Sequence, residues 1–262
     1  MTASVGHSRT SSGGPKVLNV IDAPGTDESV WRSWPRLRSL PQLTLPRQGR
    51  VVVVAAHPDD EVLGFGGTLC LLAAAGVEIV VVSVTDGERS HPSSRVRTPT
   101  ELAGIRAAET LAALRELGAG AAQVRRLGIP DTEVPDHEDR VTSDLGDVLR
   151  GAALCVAPWT GDVHADHEAT GRAAVRAALT AEVPCLLYPV WMWHWARPDD
   201  VRVPWERAAR IVLPPEAAAR KTAAVGRFVS QIRPLGPGSD EAPILPPEEL
   251  AHHLRDMEVV FR

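Results

Sequence analysis

From Val51 to Ala56 the chain is apolar without interruption. A run of that length with no polar alternation predicts a strand buried on both faces, as in a parallel sheet. The stretch from about Gly66 to Ala75 predicts a helix ended by Gly76, and the β-rich run Val77–Val84 predicts a second strand. Thr100–Leu117 carries apolar residues every three or four positions (Leu102, Ile105, Ala108, Ala112) and is followed by Gly118, the pattern of a helix and its stop. Further along, residues 141–150 predict a helix, Ala152–Ala157 a buried strand, Ala165–Leu179 a helix and Val183–Trp195 a strand. Pro214–Phe228 predicts a last long helix, opened by paired prolines. Strand and helix alternate, so the expected fold is α/β, with a largely parallel sheet covered by helices on both faces. Residues 1–16 are polar and Gly/Ser-rich and are expected to form a disordered tail. Residues 17–48 hold Trp31, Trp34 and several prolines without clear periodicity, and are expected to wrap over the core of a single domain spanning 17–262. The Pro- and Gly-rich stretch 233–248 is expected to be a surface loop.

Composition narrows the class without naming a chemistry. In 262 residues, 44% are hydrophobic and 23% charged, which is ordinary globular usage and excludes a collagen-like, coiled-coil or wholly disordered chain. The net charge of −5 argues against nucleic acid or an anionic membrane as the main partner. Cys70, Cys155 and Cys185 sit in apolar runs with no CxxC or finger spacing, so reduced, buried thiols in a cytoplasmic protein are expected. No apolar run approaches bilayer-spanning length, and the first residues lack a signal peptide.

Two polar clusters follow predicted strands, where open α/β sheets bind their ligands. The first is His57-Pro58-Asp59-Asp60-Glu61, after the Val51–Ala56 run. The second is Asp162-Val163-His164-Ala165-Asp166-His167-Glu168, after the strand ending near Ala157. Three consecutive carboxylates repel one another unless a cation or hydrogen bonds compensate. One His and one carboxylate from the first turn with one His from the second make a three-ligand site with open positions, the pattern of a catalytic zinc. Two His and one carboxylate also suit non-haem iron(II). Glycines 64, 66 and 67 do not complete a dinucleotide fingerprint, because Leu69 stands where the third glycine belongs.

The segment Ala56-His57-Pro58-Asp59-Asp60-Glu61, with Gly66-Gly67 behind it, resembles the AHPDDE motif of the PIG-L/LmbE-like deacetylases. Thr85-Asp86-Gly87-Glu88, Arg106 with Glu109, Leu127–Asp131, His164–His167, and Lys221 with Phe228-x-Ser230-Gln231 resemble further motifs of that family in the same order. The resemblance covers about residues 50–232 and implies a Rossmann-like fold and zinc-dependent removal of an acetyl group from an N-acetylglucosamine-type amino-sugar or related small amide. It implies His57, Asp60 and His167 as ligands of one Zn2+ (or another divalent ion such as Fe2+) and Asp59 as general base. It implies His164, held by Asp166, as oxyanion stabiliser, although Asp166 as a partner of His167 stays open. Arg106, Glu88 and Asp131 are implied as substrate contacts, with pairing to Glu109 as the alternative for Arg106 and capping or turn roles as the alternatives for Glu88 and Asp131. Two departures stand out: Ala165 replaces the usual proline, and Asp162 stands where the mycothiol-pathway deacetylases carry tyrosine. Amidase action on a thiol or glycopeptide conjugate, and non-catalytic sugar or metal binding, remain rival readings. A homo-oligomer is compatible with the sequence.

Three features fall outside these motifs. Trp191, Trp193 and Trp195 alternate, so on a strand they would point one way, as a stacking wall for substrate or as packing. His194 would face oppositely. His252 and His253 are expected at the surface of a C-terminal helix.

Overall fold

The computed structural model describes residues 21 and 23–262, so the expected tail at 1–16 lies outside the described residues. Two short helices, α1 (Glu28–Ser33) and α2 (Pro35–Ser39), precede β1 (Arg50–Ala55). α3 (Asp60–Ala74), β2 (Glu78–Ser83), α4 (Pro99–Glu116) and β3 (Gln123–Arg126) follow. Next come α5 (Glu138–Leu149), β4 (Leu154–Pro158), α6 (Ala165–Thr180), β5 (Cys185–Tyr188) and α7 (Met192–Trp195). The chain closes with β6 (Ala208–Val212), α8 (Pro215–Val225), α9 (Val229–Ile232), α10 (Pro247–His253) and β7 (Met257–Phe261).

The seven strands lie in the order β3-β2-β1-β4-β5-β7-β6. The first five are parallel, with β1 between β2 and β4, while β7 runs antiparallel to both β5 and β6. Side chains alternate across each strand, and here both faces find apolar cover. Val51, Val53, Ile79 and Val81 pack against Phe65 and Leu69 of α3, Leu114 of α4 and Ala224 of α8. Val52, Val54, Val80 and Val82 pack against Val141 and Leu145 of α5 and Ala169 and Ala173 of α6. Each fully buried valine contributes roughly 1.5–3 kcal/mol of transfer free energy, which anchors β1 in the sheet. The expected α/β architecture is therefore present, with an antiparallel edge that the sequence pattern did not announce. Among the described residues no helix is long and apolar enough to cross a membrane.

Several expectations are corrected. The helix expected from Gly66 begins six residues earlier, at Asp60, so the two acids Asp60 and Glu61 occupy its first turn and complement its dipole. The strand expected over 183–195 ends at Tyr188, because the Asp162 side chain captures the backbone N–H groups of Val190, Trp191 and Met192 and turns the chain into α7. The tryptophans at 191, 193 and 195 consequently do not share a strand face. Trp193 joins Trp31, Trp34 and Trp205 in a separate cluster, with the Trp31 indole donating to the Trp193 carbonyl at 2.8 Å. His252 and His253 are buried, not exposed: His252 bonds Glu28 of α1 at 2.9 Å, and Arg255 pairs with the same carboxylate. That three-way contact straps the 23–40 segment to the body. The expected loop 233–248 ends in the start of α10.

Candidate active site

The strand order reverses direction between β1 and β4: the connections to β2 and β3 cover one face of the sheet, and α5 and α6 cover the other. Such a switch point opens a crevice at the carboxyl ends of the two strands. The His57 turn follows β1, and the 162–167 segment follows β4. Their side chains line one cavity, with Asp59, Arg106, Asp131, Trp191 and Gln231 around it.

Three donor groups meet at its floor. His57 Nδ1 lies 3.2 Å from His167 Nε2 and 3.6 Å from Asp60 Oδ2. His167 Nε2 lies 3.3 Å from Asp60 Oδ1. The far nitrogen of each imidazole is held by carboxylates. His57 Nε2 lies 3.1 Å from Asp166 and 3.2 Å from Asp131, and His167 Nδ1 lies 2.7 Å from Asp162. Carboxylates on the far nitrogens hold a proton there, so a neutral form of either ring turns its bare nitrogen toward the other ring and Asp60. Burial by itself lowers the pKa of both imidazoles. The bonds to Asp131, Asp166 and Asp60 nevertheless push His57 well above its usual value, and Asp60 and Asp162 push His167 to about 9. Burial raises Asp60, but the two imidazoles pull it well below the carboxylate range. The floor is thus a place that demands positive charge. Donor atoms of His57, His164 and His167, and of His57, Asp131 and Asp166, each lie close enough together to hold a cation.

Asp59 caps α3 with φ of 133°, a left-handed conformation that costs a non-glycine residue roughly 1–3 kcal/mol. Its carboxyl is buried and lies 3.1 Å from Arg106 Nη2. Burial raises its pKa and the Arg106 guanidinium lowers it, leaving it at about 7. Arg106 is itself pinned by the carbonyls of Pro58 at 2.7 Å and Gly87 at 2.9 Å. Glu61 accepts from the Asp59 N–H at 3.3 Å, and burial raises its pKa to about 8.

Some expected roles are not met by this geometry. Asp166 does not hold His164: it accepts from Thr132 N and Val134 N and bonds His57, because α6 turns its first-turn acid toward the 131–134 loop. His164 lines the cavity with a buried Nδ1 that has no partner. Burial, and then the neighbouring imidazoles, push its pKa down to about 2, so it is neutral and not the protonated donor expected. Glu88 does not line this cavity: it accepts from Asp131 N, orienting the loop behind His57. Asp131 lines the cavity, but its oxygens are engaged by His57 and by Arg89 N. Arg106 lines the cavity and bonds Asp59 and two carbonyls through its terminal nitrogens, leaving its buried Nε without a partner, and Glu109 bonds Ser230 instead of Arg106. Asp162 was visible in the sequence as a departure, but its bond to His167 was missed. The signal was there: a carboxylate five residues before a histidine at a helix start can reach the ring's far nitrogen.

Residues 52–178 match the family model described as PIG-L, GlcNAc-PI de-N-acetylase. A 1D-myo-inositol 2-acetamido-2-deoxy-α-D-glucopyranoside deacetylase from Mycobacterium avium is 35% identical over 41% of this chain and 40% of its own length. A Rhodococcus opacus deacetylase of the same description is 31% identical over 65% of this chain and 63% of its own length. The diacetylchitobiose deacetylase of Thermococcus kodakarensis is 30% identical over 52% and 51%. The chain thus spans about two fifths to three fifths of the length of these relatives. Among solved structures, the A40926 pseudoaglycone deacetylase aligns over 82% of this chain and 97% of its own, with TM-score 0.61 and 20% identity, a likeness of fold. The N,N'-diacetylchitobiose deacetylase of Pyrococcus horikoshii aligns over 68% and 69%, with TM-score 0.55 and 24% identity, again a likeness of fold. Over residues 52–178, just under half of its length, the chain is therefore similar to the PIG-L (LmbE-like) family.

Proposed function

We propose that residues 17–262 form one hydrolase domain that removes an acyl group, the acetyl group first among candidates, from the amine of an N-acyl amino-sugar or a related small amide. His57, Asp60 and His167 would hold one divalent cation. The observation that carries the reading is the approach of the three side chains: His57 Nδ1 stands 3.2 Å from His167 Nε2, one Asp60 oxygen stands 3.6 Å from the former and the other 3.3 Å from the latter, and each imidazole's far nitrogen is bonded to a carboxylate. Nitrogen and oxygen ligands at about 2.0–2.1 Å around a tetrahedral zinc stand about 3.3–3.4 Å from one another. The His57–Asp131–Asp166 set is the weaker alternative, since its distances are those of hydrogen bonds to a ring N–H. Zinc fits two nitrogens and one carboxylate with an open position, and ferrous iron fits the same set.

A cation bound there supplies Lewis acidity toward water and toward an amide carbonyl. The remaining work falls to the chain. Asp59, next to the donor set and poised near neutral pH, takes a proton from the attacking water and returns it to the leaving amine. Arg106 keeps that carboxyl ionisable despite its burial. His164, neutral and with an unpartnered Nδ1, is placed at the cavity wall to hydrogen-bond the acyl oxygen. Trp191 offers an aromatic wall on which a sugar ring can stack. The activities of the relatives, on GlcNAc-inositol and on diacetylchitobiose, support an amino-sugar as substrate class.

The test is metal content beside amine release. Purified protein should hold one zinc or iron per chain and release primary amine from at least one N-acetyl amino-sugar or glycoside in a broad panel. Full activity after complete chelation, with no metal present, would overturn the reading.

A further inference from the structure

Asp162 lies in the loop after β4 and is fully buried. Its carboxyl group makes four hydrogen bonds and spends both oxygens on them. Oδ2 accepts from His167 Nδ1 at 2.7 Å and from Trp191 N at 2.9 Å. Oδ1 accepts from Val190 N at 3.1 Å and from Met192 N at 2.9 Å. Both oxygens act only as acceptors, which is the arrangement of a carboxylate. Three consecutive backbone N–H groups and one imidazole thus converge on one side chain. Two of those backbone donors belong to Val190 and Trp191, which line the cavity opposite the donor set.

We propose that Asp162 is a positioning residue with two linked tasks, resting on the assignment of His167 as a metal ligand. It fixes the His167 ring with Nδ1 protonated and Nε2 bare toward Asp60 and His57. With the same carboxylate it sets the backbone of 190–192 and so the position of the Trp191 wall. Among the described residues no other side chain accepts from those three N–H groups. Occupancy of the metal site and order of the substrate wall are therefore coupled. With a cation held by His167, the ring's Nδ1–H would be a stronger donor and would tighten its hold on Asp162, which in turn holds 190–192 in place. The coupling is reciprocal, because any shift of one equilibrium by the other must run both ways.

An amide in place of the carboxylate separates the two tasks from simple volume. Asn presents one acceptor oxygen and one NH2 group. Whichever way it faces, either His167 and Trp191 or Val190 and Met192 meet a donor where they need an acceptor.

The first experiment uses the unmodified protein. Amide hydrogen exchange is followed over residues 189–193 with zinc bound and after chelation, with residues 244–245 as control, since Ile244 and Leu245 line the same cavity without touching Asp162. Zinc should slow exchange at 190–192 more than at 244–245. Equal effects at the two segments would overturn the coupling. In the second experiment Asp162→Asn is titrated with zinc against a chromophoric chelator. Its zinc affinity should fall roughly 10–100-fold, the range for losing a partner behind a ligand histidine. The zinc-dependent slowing at 190–192 should be lost. An Asp162→Asn protein with unchanged zinc affinity and unchanged zinc-dependent slowing at 190–192 overturns the proposal alone. A parent protein that binds no metal overturns the functional reading, and this proposal with it.

Discussion

Arg106→Gln offers the sharpest test of how the cavity is tuned. The guanidinium lies 3.1 Å from the Asp59 carboxyl, and it is the main influence opposing the upward push of burial on a group left at about 7. An adjacent arginine typically holds a carboxylate about 1–3 pKa units down. Without it, Asp59 should titrate at about 8–10. At pH 7.5 the ionised fraction would then fall from about three quarters to about one quarter at the small end, and to below ~1% at the large end. If only the ionised form accepts the water proton, kcat/KM at that pH falls roughly 3-fold to 200-fold and recovers as the pH is raised. A cation on Asp60 lowers both values together, so the displacement of the acidic limb is the quantity to read. The assay is a pH–rate profile of kcat/KM between about pH 5.5 and 9.5, with metal content and thermal unfolding recorded at each end. Breaking a buried pair commonly costs about 3–5 kcal/mol, but here the abandoned carboxyl can take up a proton, so the loss of stability should be smaller below its new pKa. An acidic limb that stays in place, in a folded and metal-loaded Arg106→Gln protein, would refute the tuning. A pH-independent rise in KM would instead return Arg106 to the substrate-contact role its sequence position suggested.

Three further outcomes are expected. Asp59→Asn should keep its metal and lose roughly 10²–10⁴-fold in kcat, and near-normal turnover of a real substrate would move the base role elsewhere. His57→Ala and His167→Ala should each lose stoichiometric zinc by elemental analysis while keeping the far-UV spectrum of the sheet, whereas His164→Ala should retain zinc; full occupancy in the first two would dismantle the donor set. Gly87 has φ of 63°, and a Cβ there would fall onto Arg106 Nη1. Gly87→Ala should therefore displace the guanidinium and reproduce the upward shift of the acidic limb seen in Arg106→Gln, and an unshifted limb would show that the loop yields instead.

What could be read from the sequence was what depends on neighbours along the chain. The unbroken apolar run of β1 and the period of α4 need no distant partner to be recognised, and they lie within a residue or two of their expected bounds. β3 was missed because an edge strand of Gln-Val-Arg-Arg is mostly exposed and carries no apolar signal. The 191–195 tryptophans were misread because alternation over five residues fits a strand and a single helical turn equally, and the deciding contact comes from Asp162, 28–30 residues away in sequence. His252 was assigned to the surface because nothing local reveals Glu28, 224 positions earlier. The donor-bearing turns were legible as clusters at strand ends. Which acid stands behind which histidine was not, because Asp166 and Asp162 are both close enough in sequence to His164 and His167, and only the path of the 131–134 and 190–192 loops decides between them.

The two imidazoles that face each other at the cavity floor come from positions 110 residues apart, on turns that exist only after β1 and β4 have paired. A chain in the act of folding must close that long loop before the donors can share anything, and loop closure is an entropic toll levied ahead of any reward. Where pairing of β1 with β4 sets the folding rate, a cation that binds between the two turns joins after that step, not before it. Interactions absent from the transition state leave the folding rate alone and slow the reverse step. The floor of the cavity is in this sense a latch: metal should lengthen the lifetime of the folded chain without hastening its birth, and refolding from denaturant should proceed at the same speed with chelator as with zinc.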